Sequence, residues 1–178
     1  MVEGAGSKNF AKAKNFCFKN PQLAHKLLEK ITQATTKYLK KKIISGANAI
    51  QIFDSWGGVL SHSDYQVFSY PYIKMINDSL KALSPIIIYP KGCWHALSLY
   101  SKIGASAIGI DWTCSARNAR YLTGNRVTIQ GNFDPSRLFS SKENIIKHTL
   151  NMLNEFGRNK YIANLGHGIL PETPVENV

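Results

Sequence analysis

Residues 84–113 read SPIIIYPKGCWHALSLYSKIGASAIGIDWT and decide the fold class. Ile86-Ile87-Ile88-Tyr89 is an apolar run bracketed by Pro85 and Pro90. Trp94 to Ile103 reads as a helix, and Ala107 to Ile110 is a second apolar run. Strand, helix and strand follow within one short span, which predicts a β-α-β unit whose two strands are parallel. The pattern extends in both directions. Before it lies Ala49 to Phe53, another short strand, and a helix from Pro21 to Ile44 with Leu23, Leu27, Leu28, Ile31, Ala34, Tyr38 and Leu39 spaced by threes and fours. Asn20 reads as that helix's N-cap, Pro21 as its first residue and Gly46 as its stop. A second helix, Ser63 to Leu83, is expected to break or bend near Pro71. Beyond the unit come a short helix Ser115 to Leu122, a strand Val127 to Gln130, a helix Lys142 to Phe156 and a last strand Tyr161 to Leu165.

Five strands, each separated from the next by helix, give an α/β fold. Strands such as Ile86-Ile87-Ile88 are apolar without alternation, the pattern of a parallel sheet covered on both faces. No low-complexity stretch or flexible linker divides the chain, so a single domain over 1–178 is expected. With 178 residues, 44% of them hydrophobic, there is material for a packed core, which excludes disorder. No apolar run approaches the roughly 18 residues of a membrane span, and the first residues carry no signal-peptide core. Three cysteines (Cys17, Cys93, Cys114) without paired spacing point to a reduced, cytoplasmic protein.

The net charge of +11 favours polyanionic partners: nucleic acid, acidic membrane surfaces or a substrate with several carboxylates. The lysines are scattered, however. Lys40-Lys41-Lys42 and the spaced trio Lys8, Lys12 and Lys14 read as solvated faces. No RNP-like aromatic pattern, helix-turn-helix or zinc-finger spacing points to nucleic acid. Cys93-Trp94-His95 gives C-x-H, with no second Cys or His pair at ligand spacing, so no metal site is expected.

The strand ends are more informative than the charge. They read Asp54-Ser55-Trp56-Gly57-Gly58, Lys91-Gly92, Asp111-Trp112-Thr113, Gly131-Asn132-Phe133-Asp134-Pro135 and Gly166-His167-Gly168. Ligands of parallel α/β folds sit at the carboxyl ends of strands, so five polar, glycine-rich endings predict one site around one rim. The stretches MVEGAGS (1–7), AIQIFDSWGG (49–58), IGIDWT (108–113), VTIQGNFDP (127–135) and YIANLGHGILPETP (161–174) together resemble the uroporphyrinogen decarboxylase family over the whole chain.

That resemblance implies a (β/α)8 TIM barrel, of which about five of the eight strand-helix units are present here. It implies a cytosolic homodimer and a carboxy-lyase that works without a cofactor. Such an enzyme removes the carboxyl groups of the four acetate arms of uroporphyrinogen III and gives coproporphyrinogen III. On the same comparison the chain is a C-terminal fragment, expected to be inactive alone. The family's first three strands and last helix, its arginine-rich loop, its catalytic aspartate and the tyrosine before MVEG would lie outside it. No catalytic residue is therefore assigned within the 178 residues.

Two substrate-binding residues are assigned from the resemblance. Ser55 matches the family's substrate-contacting serine, and its hydroxyl suits a carboxylate or a pyrrole edge. It has no G-x-S-x-G or His/Asp partner, which argues against a nucleophile. His167 matches the histidine of NLGHG, which contacts a substrate carboxylate in the family, and its flanking glycines allow close backbone approach. Asp134 before Pro135 reads as a helix cap. Asp111 reads equally as a cap or as a site carboxylate. The alternatives are a corrinoid-related methyltransferase of the same superfamily and a non-catalytic basic binding protein. No membrane or nucleic-acid partner is expected on the leading reading.

Overall fold

The computed structural model describes residues 2–4 and 6–178; Met1 and Ala5, both within the MVEGAGS stretch, lie outside the described residues. Five parallel strands, β1 (Ile50–Asp54), β2 (Ile86–Pro90), β3 (Ala107–Gly109), β4 (Thr128–Phe133) and β5 (Tyr161–Leu165), form one sheet. Their spatial order is β1-β2-β3-β4-β5, and each strand pairs in parallel with its neighbours in sequence. That order distinguishes a singly wound barrel from a doubly wound open sheet, where the order reverses at a switch point. Parallel crossovers are right-handed in nearly all cases, so strictly sequential strands place every connecting helix on the same side.

The helices are α1 (Ala11–Lys19), α2 (Pro21–Ile44), α3 (His62–Phe68), α4 (Tyr70–Leu80), α5 (Leu97–Tyr100), α6 (Ala116–Thr123) and α7 (Lys142–Phe156). Short 3-10 turns come after β1, β2 and β4 at Gly57–Val59, Trp94–Ala96 and Pro135–Phe139. The break expected near Pro71 falls at Ser69, and Pro71 then sits in the first turn of α4, where its missing N–H has no helical partner to lose. Ser115 caps α6 through its hydroxyl on the Asn118 N–H, and Gly124 ends that helix in the left-handed conformation. Asn20 does not cap α2 with its side chain. It lies between Pro21 and α1, a helix that the sequence pattern does not announce, and its own N–H bonds to the Phe16 carbonyl. The span 94–103 is a 3-10 turn followed by one short helix, after which the N–H groups of Lys102 and Ile103 bond three residues back as turns and Gly104 takes a positive φ.

The main core lies between the sheet and the helices. Ile50, Ile52, Ile86, Ile88, Ile108 and Ile129 point outward into it and meet Tyr65, Ile76, Leu80, Leu97, Tyr100 and Ala119. Burying each isoleucine contributes about 1.5–3 kcal/mol. The alternate positions point to the concave side and carry a different composition: Gln51, Phe53, Ile87, Tyr89, Thr128, Gln130, Ile162 and Asn164. The expectation of a sheet covered by helices on both faces is therefore corrected. One face is covered by helices, and the other is a half-polar inner wall.

The curl of the sheet is visible in side-chain contacts. Gln130 Nε2 donates to Gln51 Oε1 at 3.3 Å, joining β4 to β1 across the concave face. In a flat sheet those strands stand about 14 Å apart, three spacings of about 4.8 Å, with side chains parallel and out of reach. The Tyr89 hydroxyl on β2 donates to the carbonyl of Gly166, just beyond β5. Five strands curled in this way form a partial (β/α)8 barrel.

Gly109 makes room for this inner wall. A Cβ there would stand 2.7 Å from Cδ2 of Tyr89, whose ring fills the space over β3. Gly109→Ala is expected to destabilise the fold by about 1–3 kcal/mol through overpacking, read as a lowered urea midpoint with unchanged slope.

Candidate functional site

The carboxyl ends of the strands converge on one rim, and three backbone ties hold it. Asp111, 5% exposed, comes after β3 and accepts from the N–H of Gly92 after β2 at 2.5 Å, from the N–H of Thr113 at 2.9 Å and from the Thr113 hydroxyl. Asn132 Nδ2 donates to the carbonyls of Asp111 and Cys114 at 3.2 and 2.6 Å, tying the end of β4 to the same loop. Gly166, after β5, donates to the Phe133 carbonyl at 2.6 Å and packs so closely on Trp112 that a Cβ would meet its backbone nitrogen at 3.0 Å. Both carboxylate oxygens of Asp111 are thus engaged within the fold, tying the β2 and β3 loops, while the cap of α6 is Ser115. Asp134 accepts from the Ser136 N–H at 2.9 Å and caps the turn after β4.

A second network sits under the β1 loop. Asp54 accepts from the Tyr65 hydroxyl at 2.8 Å and from Ser69 Oγ at 2.6 Å, and Tyr65 and Tyr100 join their hydroxyls at 2.5 Å. Burial, with the neighbouring phenol and the Asp54 charge, pushes the Tyr65 pKa far up, so the phenol stays protonated and donates. Gly57 closes the turn against this pair, since a Cβ there would stand 2.6 Å from Cε2 of Tyr65. Ser55 lies in that turn, half-buried, with no side-chain hydrogen bond among the described residues.

On the concave face a cavity of about 300 Å³ is lined by Gln51, Phe53, Tyr89, Gln130, Asn164, Leu165, His167 and Gly168. Here strand ends from opposite edges of the sheet meet. Phe53 from β1 stands edge-on to Tyr89 at 5.7 Å, and His167 after β5 stands edge-on to the same tyrosine at 6.2 Å. The structure brings His167 into this lining. Ser55 it leaves on the adjoining turn, two residues beyond Phe53 and outside the lining. The lining offers amide groups and an imidazole for hydrogen bonding and two aromatic rings for stacking, and it contains no Asp or Glu. A second hollow, about 310 Å³, lies between the β3 and β4 ends and α7 and contains neither Ser55 nor His167.

Sequence reasoning missed Gln51, Tyr89, Gln130 and Asn164. The available signal was a polar residue in the middle of an otherwise apolar strand, as in Ile50-Gln51-Ile52 and Ile129-Gln130-Gly131. A polar group there has to face something other than the helix-packed core. The cysteines and the C-x-H motif belong elsewhere. Cys93 is buried with its thiol on the Lys91 carbonyl, and His95 pairs with His62, their Nδ1 atoms 3.3 Å apart. The described residues bring no group of three His, Cys, Asp or Glu side chains together as a metal site.

A family profile described as uroporphyrinogen decarboxylase matches residues 1–178. The chain belongs to the uroporphyrinogen decarboxylase family. It is 58% identical over 176 residues to the uroporphyrinogen decarboxylase of Flavobacterium johnsoniae, covering 99% of this chain and 52% of that one. It is 43% identical over 189 residues to the uroporphyrinogen decarboxylase of Schizosaccharomyces pombe, covering 100% and 53%. The chain thus spans about half the length of the curated relatives it matches. Among solved structures a methyltransferase from Methanosarcina mazei superposes with a TM-score of 0.78 at 21% identity, covering 94% of this chain and 50% of that one. At that identity the likeness is one of fold, and the methyltransferase alternative gains nothing beyond it.

Burial raises all three thiols, Cys17 least, and holds Cys93 and Cys114 protonated far above neutral pH. Cys93 is pushed up to about 12 by burial and then by the Asp54 charge, and Cys114 to about 11 by burial and then by the Asp111 charge. Their thiolate fractions at pH 8 fall roughly 10²–10³-fold below that of a free cysteine. Ellman's reagent at pH 8 is expected to leave both unreacted in the native protein. In 6 M guanidinium all three should react, and the native protein should gain reactivity as pH approaches 11.

Proposed function

We propose that this chain forms the wall of a uroporphyrinogen decarboxylase site that holds the carboxylates and the macrocycle face of uroporphyrinogen III. The observation that carries the reading is the lining of the concave cavity. A flat, octacarboxylate tetrapyrrole needs hydrogen-bond donors for its carboxylates and apolar faces for its rings. The amides of Gln51, Gln130 and Asn164 and the His167 ring answer the first need, and Phe53 and Tyr89 answer the second. The net charge of +11 adds long-range attraction for such a substrate.

The reaction proposed from family membership is cofactor-free. Protonation of a pyrrole turns the ring into an electron sink, the bond from the acetate methylene to its carboxyl carbon breaks and its electrons flow into the ring, CO2 departs, the methylene takes a proton to become a methyl group, and the ring gives up its added proton to regain aromaticity. The barrier falls where charges are placed for the cationic ring before it forms. In this chain the cavity supplies amide and imidazole groups and no carboxylic acid to serve as proton source. Ser55, on the adjoining turn, is proposed as a further hydroxyl for a carboxylate or pyrrole N–H at the rim. Assembly as a homodimer and a reducing, cytoplasmic setting belong to the same proposal. The three free cysteines support the setting, and no described helix is long and apolar enough to cross a membrane.

Two outcomes test this reading. His167→Ala is expected to weaken uroporphyrin III binding, read by fluorescence titration, about 10- to 150-fold, the worth of one charge-assisted hydrogen bond of about 1.5–3 kcal/mol. Affinity unchanged in that variant would remove His167 from the site. Salt-sensitive binding of random DNA, with no porphyrin binding, would favour the basic-protein alternative instead. The 178-residue chain incubated anaerobically with uroporphyrinogen III is expected to yield no heptacarboxylate or coproporphyrinogen product above the blank on chromatography. Turnover there would mean that a group within these residues acts as the proton donor.

A further inference from the structure

We propose that Tyr89 is the positioning residue for His167, acting by clamping the peptide from which that side chain projects. The inference rests on the reading of the concave cavity as a carboxylate-binding site. β5 is an edge strand paired on one side only, and Ile162, Ala163 and Asn164 along it are exposed, so the strand itself does little to fix the Gly166-His167 loop at its end. Gly166 is nevertheless buried. It is gripped from three directions: its N–H on the Phe133 carbonyl at 2.6 Å, its α-carbon against the Trp112 backbone, and its carbonyl on the Tyr89 hydroxyl. The first joins backbone to backbone, and the second packs the glycine on Trp112, whose backbone nitrogen and ring carbon Cε3 would each stand 3.0 Å from a Cβ there. The third comes from a side chain three strands away, 4% exposed and seated in the slot that Gly109 leaves open.

The same tyrosine meets the imidazole directly, its ring edge-on to that of His167 at 6.2 Å. Peptide and ring of the 166–167 step are thus both referenced to one rigid group on β2. His167 makes no side-chain hydrogen bond among the described residues, so its aim depends on that step. Burial and the nearby Asp111 charge keep the phenol protonated, so it serves as the donor the Gly166 carbonyl requires. The ring fills the wall and the hydroxyl holds the loop, which separates two roles that a single substitution can divide.

Tyr89→Phe keeps the ring and removes the hydroxyl. In the 178-residue chain the expected result is a native near-ultraviolet circular dichroism spectrum and a loss of uroporphyrin III affinity of about 2- to 10-fold, the worth of a neutral hydrogen bond. The His167 Cε1–H resonance should shift in the unliganded protein while those of His25 and His148 stay in place. In a His167→Ala background the same change is expected to cost no further affinity, since the group it aims is gone. An equal loss in both backgrounds would overturn the proposal, because Tyr89 would then act on the ligand by itself. An unmoved His167 resonance would overturn it as well. If the resonance shifts but His167→Ala binds like the wild type, the clamp stands and the site reading fails.

Discussion

Everything in this structure depends on the strictly sequential order of five parallel strands. Right-handed crossovers taken in that order can place helices on one side of the sheet only. The outward side chains of the strands then form the main core with the helices, and the inward ones are left to face each other. Curvature brings them together: Gln51 meets Gln130 and Tyr89 meets Gly166 across strands that a flat sheet would hold far apart. A cavity on the concave face and a rim of strand ends above it are consequences of that one constraint. In a doubly wound sheet the same positions would be buried beneath helices, and amides there would lack partners.

The rim is held by backbone atoms more than by charge. Asp111 spends both oxygens on the Gly92 and Thr113 N–H groups and the Thr113 hydroxyl, and Asn132 bridges two carbonyls. Glycines stand where a Cβ would collide, at Gly166 against Trp112 and at Gly57 against the side chains of Asp54 and Tyr65. The ion pairs of the described residues, Lys74 and Lys81 with Asp78, lie far from this rim on exposed helix surface and add little. Most of the positive charge is therefore free to act at long range. The cavity lining offers amides, an imidazole and aromatic faces, and it contains no Asp or Glu.

The two residues that the motifs single out have different places in the structure. His167 is legible in the sequence because NLGHG is distinctive, and the structure gives it a place in the cavity lining. Ser55 is equally legible from its motif and sits on the adjoining turn, where the Asp54-Tyr65-Tyr100 network fixes the loop around it. The amides of Gln51, Gln130 and Asn164 are not legible, because a glutamine inside a strand has no motif. Its meaning depends on which face of which sheet it occupies.

Taken alone, the sequence determined the alternation of strands and helices, the bounds of α7 and β5, the break before Pro71 and the capping role of Asp134. All of these are local: periodicity, proline geometry and a carboxylate within reach of its own backbone. It also determined the family, since motifs such as DWT, GNFDP and NLGHG record chemistry residue by residue. Tertiary structure alone decided that one face of the sheet is a polar wall and not a second core, that Asp111 is a tie, and that Tyr89 reaches the far edge of the sheet. Each of those facts joins residues tens of positions apart, such as 89 and 166 or 51 and 130. No local pattern encodes such distances, because they are set by how far the sheet curls, and the curl is a property of all five strands at once.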